Sequence, residues 1–320
     1  MLRRLFFVLL AIFSLAGNAQ DKYPVKPVRI IVPFAPGGST DIFARLLAER
    51  LQAPLGQPVV VENRGGASGN IGAEAVAKST PDGYTVLMAT TGVMAINNAL
   101  FKGMPYDAAK DFEPVVYVAS ITNVLIVATD SPLKSVAELI AAAKREPGKL
   151  SFASAGAGAS THMSAELFKA MAGVDLLHVP YKGSGPAMPD VIAGRVSMMF
   201  ENMPGAVSHI RGGKVRVLAV TGLKRTPALP EVPSVAESGV PGYESLSWSG
   251  FAVPAGTPPE TIARLNREVN AILAAAEMRQ KFADQGAEPV GGTPETFAAH
   301  VKREREKWAG VIRAANIVVN

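Results

Sequence analysis

Pro33-Phe34-Ala35-Pro36-Gly37-Gly38-Ser39-Thr40-Asp41 follows the apolar run Val28–Val32 (Arg29 apart) and leads into a helix. That helix is read from about Asp41 to Gln52, with Ile42, Leu46, Leu47 and Leu51 on one face. A glycine turn between strand and helix leaves backbone N–H groups unpaired at the positive end of a helix dipole, where an anion is favoured. A second stretch repeats the arrangement. Ser154-Ala155-Gly156-Ala157-Gly158-Ala159-Ser160-Thr161-His162 joins a strand at Lys149–Ala153 to a helix at Ser160–Ala172, with Met163, Leu167 and Met171 at helical spacing. Two such turns in one chain point to a cleft that grips a carboxylate from both sides.

Working outward, Pro58–Glu62 reads as a strand, Ile71–Lys78 as a helix and Tyr84–Ala89 as a strand, with a Thr90-Thr91-Gly92 turn after it. This βαβαβ order predicts a mainly parallel sheet covered on both faces. The pattern restarts with strands at Val124–Ala128, Leu176–Val179, Val196–Phe200 and Val215–Thr221, and helices at Ser135–Lys144 and Gly185–Ala193. Two similar units predict two lobes rather than one sheet. The Pro-rich stretch from Thr226 to Gly242 reads as an irregular surface crossing. A strand at Trp248–Val253 follows, then helices at Pro259–Ala275, Glu277–Gln285 and Pro294–Ala314. These helices have no sheet of their own in this reading, so they are expected to pack back on the first lobe. The chain then crosses twice between lobes, which permits hinge bending.

Arg3 and Arg4 precede the apolar run Leu5–Leu15 and the small residues Ala16-Gly17-Asn18-Ala19, the order of a cleaved export signal covering residues 1–19. The apolar run is too short to span a bilayer. Cysteine is absent, which excludes disulfides, thiol catalysis and Cys-ligated zinc. The formal net charge is +5 with no basic run, so nucleic acid is not an expected partner.

Each motif has a plainer reading beside the functional one. Ser39 or Thr40 could simply cap a helix. Gly156 and Gly158 could belong to a dinucleotide fingerprint, but Thr161 stands where its third glycine is needed. Asp41 would repel a ligand carboxylate, so a structural role within the turn suits it better. His162 could serve as a base with Ser160 or Tyr181 in a lyase or hydrolase, yet no ordered catalytic set or metal-ligand spacing surrounds any histidine. Lys182 could pair with an anion or reach solvent. Trp248 could wall the pocket or fill a core. The run Lys302-Arg303-Glu304-Arg305-Glu306-Lys307 reads as a solvated helix face.

Several stretches carry a family resemblance: Val32 to Asp41, Glu62-Asn63-Arg64-Gly65-Gly66-Ala67 with Gly69, His178-Val179-Pro180-Tyr181-Lys182-Gly183, Leu218-Ala219-Val220-Thr221 and Ala255-Gly256-Thr257-Pro258. Together they resemble the substrate-binding proteins of tripartite tricarboxylate transporters, the Bug or TctC-like family. The resemblance implies a type II periplasmic binding protein, a Venus flytrap of two α/β lobes. Residues 20–122 with 249–320 would form lobe 1, and 123–248 lobe 2. It implies a monomeric periplasmic binder, not an enzyme, without metal or cofactor, that hands a small organic acid to membrane transporter subunits. A sensor role would use the same cleft. Carried over residue by residue, the first loop gives Phe34, Ala35, Gly37, Gly38, Ser39 and Asp41. The facing loop gives Ser154, Gly156, Gly158, Ala159, Ser160, Thr161 and His162. Thr90, Thr91, Tyr181, Lys182, Glu201 and Asn202 would line the rest. Ala159 stands where the family often has Thr or Ser, and Glu201 where Asp is usual.

Overall fold

The computed structural model describes residues 23–319, so the export signal read at residues 1–19 lies outside the described residues. The chain opens with β1 (Val28–Val32), α1 (Ser39–Leu55), β2 (Val59–Asn63), α2 (Asn70–Ala77) and β3 (Thr85–Thr90). β1 pairs in parallel with β2 on one side and β3 on the other. Parallel neighbours need a crossover, which α1 and α2 supply. Alternation along β1 then feeds two cores. Val28, Ile30 and Val32 pack against Phe43, Leu47 and Leu51 of α1, whereas Ile31 packs with Ala73 and Val76 of α2.

A wide helical turn, Gly92–Ile96, runs into α3 (Asn97–Leu100) and then β4 (Phe112–Ala128). Only the last five residues of β4 read as strand from the sequence; the strand has 17. Phe112–Thr122 pairs antiparallel with β9 (Leu246–Pro254), and the stretch around Tyr117–Ile121 also meets β10 (Ala287–Gly291). From Asn123 onward the partners are β7 (Met198–Asn202) and β8 (Val215–Val220), again antiparallel. Thr122 still faces Leu246 and Asn123 already faces Asn202, so β4 changes partners between adjacent residues.

The rest of the second unit is α4 (Val136–Arg145), β5 (Ser151–Ser154), α5 (Ser160–Ala172), β6 (Leu177–Pro180), α6 (Ser184–Ile192) and α7 (Met203–Arg211). β5 lies parallel between β6 and β7. The strand order is β2-β1-β3-β9-β4-β7-β5-β6, with β8 and β10 added on β4. Parallel pairing therefore belongs to the outer strands of each lobe. The strands that carry the chain between lobes pair antiparallel, because β4 leaves the first lobe where β9 returns.

The C-terminal helices are α8 (Pro259–Ala274), α9 (Ala276–Asp284) and α10 (Pro294–Ala314). Leu265, Val269 and Phe282 complete the α1 core, and Phe297, Val301 and Trp308 complete the α2 core. The charged run in α10 is not wholly a solvated face. Glu304 accepts hydrogen bonds from the indole N–H groups of Trp248 and Trp308, at 3.2 and 3.1 Å. Arg305 donates to the carbonyls of Met94 and Ala108. Charged residues spaced along one helix can belong to different faces, and these two turn inward. Among the described residues, no helix is long and apolar enough to cross a membrane.

Candidate functional site

The two glycine turns end in the same local geometry. α1 starts after Gly38 and α5 after Ala159, so Ser39-Thr40-Asp41 and Ser160-Thr161-His162 form equivalent first turns. Neither Ser39 nor Thr40 is the cap. The cap residues are Gly38 and Ala159, which offer no side-chain acceptor. The first main-chain bond of α1 runs from Ile42 N–H to Gly38 O, at 3.1 Å, so the N–H groups before it have no acceptor within the helix. In α5, His162 and Met163 both donate to Ala159 O, leaving Ser160 and Thr161 in the same condition. α4 and α10 differ: Ser135 and Thr293 accept an N–H from their own first turns.

Each turn is closed by an acceptor four residues after a glycine. Gly37 has φ 92° and donates to Asp41 Oδ2 at 3.1 Å; Gly158 has φ 84° and donates to His162 Nδ1 at 3.0 Å. Residues with a side chain rarely adopt this backbone conformation, which is why both positions are glycine. Asp41 is buried, and its oxygens also accept from Asn63 Nδ2 at 2.9 Å and Arg45 Nε at 3.1 Å. Burial raises its pKa, but the hydrogen bonds from Arg45, Asn63 and Gly37 outweigh that and hold it below the ordinary value. Burial, with His178 and Lys169 adding to it, pushes His162 down to about 3. Its imidazole therefore stays neutral and able to accept. It stacks on His178 with ring centroids 4.1 Å apart.

The turns face one another across a narrow cleft. Of the residues expected at the site, Phe34, Ala35, Gly38, Ser39, Asp41, Thr90, Ala159, Ser160, Thr161 and Asn202 line it. Phe34, Ala155 and Ala159 make an apolar contact across it. Asn202 bridges the lobes: its amide N–H donates to Ser39 Oγ at 2.9 Å, and its oxygen accepts from Ser160 Oγ at 3.2 Å. Ala35 N–H donates to the Lys182 carbonyl at 3.1 Å. Asp41 is the one charged side chain in the lining, and its oxygens are already engaged. The remaining polar lining consists of hydroxyls, one amide and the ends of helices α1, α5, α6 and α7, which together suit an anion.

Other expected site residues support the walls from behind. Gly37, Gly156 and Gly158 shape the turns, and Ser154 Oγ accepts from Gly156 N–H and contacts His178. Thr91 Oγ1 accepts from Trp248 N–H at 3.0 Å, pinning β3 to β9. His162 lies on the far side of its turn, facing Glu166 and the C-terminal residues. Tyr181 donates to Asp190 at 2.6 Å, away from the cavity. Lys182 contributes its carbonyl, while its side chain is exposed. Glu201 does not reach the cavity. It is fully buried behind it, against Gly205 of α7, and the Ser184 hydroxyl and Asn202 N–H approach its carboxylate without meeting full hydrogen-bond geometry. Burial pushes its pKa up to about 8. Among the described residues, no group of three or more His, Cys, Asp or Glu is placed to hold a metal ion.

Residues 43–317 match the model of the tripartite tricarboxylate transporter family receptor, TctC. The chain belongs to this family. It is 42% identical to Protein BugT of Bordetella pertussis, over 97% of each chain. Among solved structures, R. palustris Rpa4515 with adipate is 43% identical, with a TM-score of 0.90, covering 92% of this chain and 99% of that one. MatC from Rhodopseudomonas palustris, with bound malate, is 33% identical, with a TM-score of 0.87, covering 91% and 100%. These relatives are solute-binding receptors rather than enzymes, and the mixed α/β architecture described above is theirs.

Lining residues that the sequence reading missed come from two places. Ser184 opens α6, and Ile121, Ser247 and Ser249 sit on β4 and β9. Nothing in local composition marks the three strand residues, because only the pairing of β9 between β3 and β4 brings them under the turns. One signal was available: Gly-x-Ser-Thr followed by a hydrogen-bond acceptor occurs in both turns, at Gly37–Asp41 and Gly158–His162.

Proposed function

We propose that this receptor captures a small organic acid between its two lobes in the periplasm and delivers it to the membrane subunits of a tripartite tricarboxylate-type transporter. The observation that carries the reading is the pair of first helical turns, in α1 and α5, aimed at one cavity with no side-chain cap. A carboxylate entering the cavity loses water, and donors must replace it. Each charge-assisted hydrogen bond contributes roughly 1.5–3 kcal/mol net, so donors from both lobes are needed for useful affinity. The acid then stabilises the closed arrangement over an open one, and the membrane partner reads that closed shape. The hinge falls where β4 changes partners, between residues 122 and 123, and where β9 begins, between residues 245 and 246. Adipate and malate, bound by two relatives, give the size class. The export-type N-terminus and the family's periplasmic members support the location.

The test is a thermal-shift screen of the mature protein against a panel of small mono- and dicarboxylic acids. At least one acid is expected to raise Tm, with the rise growing logarithmically with excess ligand. A panel in which no acid shifts Tm or gives heat on titration removes the proposal.

A further inference from the structure

Glu201 of β7 is the most deeply buried acidic side chain among the described residues, at 0% exposure. It lies opposite Val124 of β4, and its carboxyl rests on the first turn of α7, where a side-chain carbon at Gly205 would overlap Oε1. The Ser184 hydroxyl, at the start of α6, and Asn202 N–H approach it. Among the described residues, no cation answers it. α6 carries Asp190 alone, which is held by Tyr181 and Arg195, and α7 carries only His209 and Arg211, in its last turn. Arg216 of β8 spends its guanidinium on the carbonyls of Thr129, Ser131 and Leu133. β4 holds Glu113 and Tyr117, both in its first half. Across the cleft, Asp41 of α1 is engaged by Gly37, Asn63 and Arg45.

Ser184 also lines the cleft, with its hydroxyl 4.0 Å from the place a Cβ on Gly38 would take. One hydroxyl therefore stands between the buried carboxyl and the space for a guest, and it has one proton to give. Beside an ionised carboxylate, which only accepts, that proton turns inward and the cleft meets lone pairs. Beside a neutral carboxyl, the Glu201 O–H donates to Ser184 Oγ and the serine proton turns outward. Burial pushes the Glu201 pKa up to about 8, with Ser184 and Asn202 N–H pulling the other way, so the same fold reaches both forms.

We propose that the receptor binds its organic acid together with one proton, which sits on Glu201 and frees the Ser184 hydroxyl to donate to the guest. The inference rests on the carboxylate reading above and adds a second bound species, held outside the cleft. The proton adds a donor to the first-turn N–H groups and removes a buried negative charge from behind an anion, so both effects have the same sign. The coupling is reciprocal: the guest strengthens the hold on the proton by the factor by which the proton strengthens the hold on the guest. A glutamine at 201 would fix the donor permanently, whereas a carboxyl makes it conditional on pH. Affinity is full well below pH 8 and falls as pH rises past it, until Glu201 is ionised in the complex as well.

The test is isothermal titration from about pH 6.5 to about pH 9.5 at constant ionic strength, with adipate, malate and the strongest acid of the thermal-shift panel. Repeating each titration in two buffers of unlike ionisation enthalpy counts the protons taken up. Carboxylic acids in water are ionised across this range, and all four histidines are shifted down, away from it. In wild type, Kd is expected to weaken roughly five- to tenfold over the range, with about half a proton taken up per bound acid near pH 8.5. Glu201→Gln keeps a donor where the neutral carboxyl had one, so its Kd should stay level and no proton should be taken up. Ser184→Ala should bind less tightly at the acid end and lose most of the pH dependence. A purely structural Glu201 would change Tm on substitution and leave the proton count at zero. The count in wild type needs no variant, so it decides even where a substitution costs the fold. A wild-type Kd that is level with pH and takes up no proton overturns this inference and leaves the carboxylate reading standing, as does either variant keeping the wild-type slope. Failure of every acid to bind wild type at any pH overturns both.

Discussion

The first turn of α1 and the first turn of α5 use the same backbone device with different chemistry. In each, a positive-φ glycine donates to a side chain four residues on, which leaves the following N–H groups aimed outward. In α1 the acceptor is an ionised carboxylate held by Arg45 and Asn63. In α5 it is a neutral imidazole packed on a second imidazole and on Phe152. A charge beside the proposed anion site must be fully spent elsewhere, and Asp41 meets that condition with three partners. A neutral acceptor needs no such neutralisation, so the second lobe builds its turn from stacking instead. The same loop geometry can therefore be reached through an ion pair or through packing.

The change with the largest expected effect tests whether the two turns act together. Gly38→Asp places a carboxylate where it accepts the N–H groups of its own helix, and Ala159→Asp does so in the other lobe. Each is expected to weaken binding of the best acid by roughly a hundredfold or more, while Tm stays level or rises through the new cap. Titration calorimetry with parallel melts measures both. Retained affinity in either variant removes that turn from the site.

The difference between charged and neutral acceptors appears next in stability. Asp41→Ala strands Gly37 N–H, the Asn63 amide and Arg45, and should cost about 2 kcal/mol in denaturant unfolding. The half-exposed Arg45 keeps the ionic share of that small. His162→Phe keeps the stacking and loses only the acceptor, so about 1 kcal/mol is expected. Equal losses would erase the distinction between the charged and the neutral acceptor.

Two buried groups give pH slopes of opposite sign. Glu201 is raised from 4.5 to about 8, so the folded chain holds a proton that the unfolded chain releases between those values. Stability is then full below pH 4.5 and falls as pH rises toward 8. Glu201→Gln should remove that fall, worth about 1 kcal/mol or more between pH 5 and pH 8. His162 is lowered from 6.5 to about 3, so the unfolded chain takes up the proton first. Its contribution is present above pH 6.5 and is lost as pH falls toward 3, a slope that His162→Phe should reduce. His178, pushed down to about 4 by burial, contributes the remainder. Melts across pH 3 to 9 on the three proteins separate these effects. A Glu201→Gln protein with the wild-type slope would show that the carboxyl is not the source.

Element order was largely readable from periodicity. Helices with one apolar stripe, such as Pro294–Ala314 and Ser160–Ala172, have the limits expected of them. β4 was read short because Phe112–Asn123 mixes Glu113, Pro114, Ser120 and Asn123 among apolar residues, and its pairing comes from β9 and β10, far along the chain. α7 and β10 escaped for related reasons. Met203-Pro204-Gly205 reads as a break, yet proline suits a first helical turn; Ala287–Gly291 is half exposed and carries Pro289. The rim of the cavity was legible because glycine, serine and threonine around a strand end have a local meaning. The strand residues beneath it were not, because Ser247 and Ser249 gain their place only from the sheet register.

The Asn202 amide gives the cleft a direction. Because its nitrogen donates to Ser39, that hydroxyl has its own proton left to offer a guest; because its oxygen takes the Ser160 proton, that hydroxyl offers lone pairs only. Two serines at matching places in the lobes are thereby turned into unlike poles, one giving and one receiving. A molecule carrying an acceptor at one point and a hydroxyl proton beside it can seat in one orientation and not in its reverse.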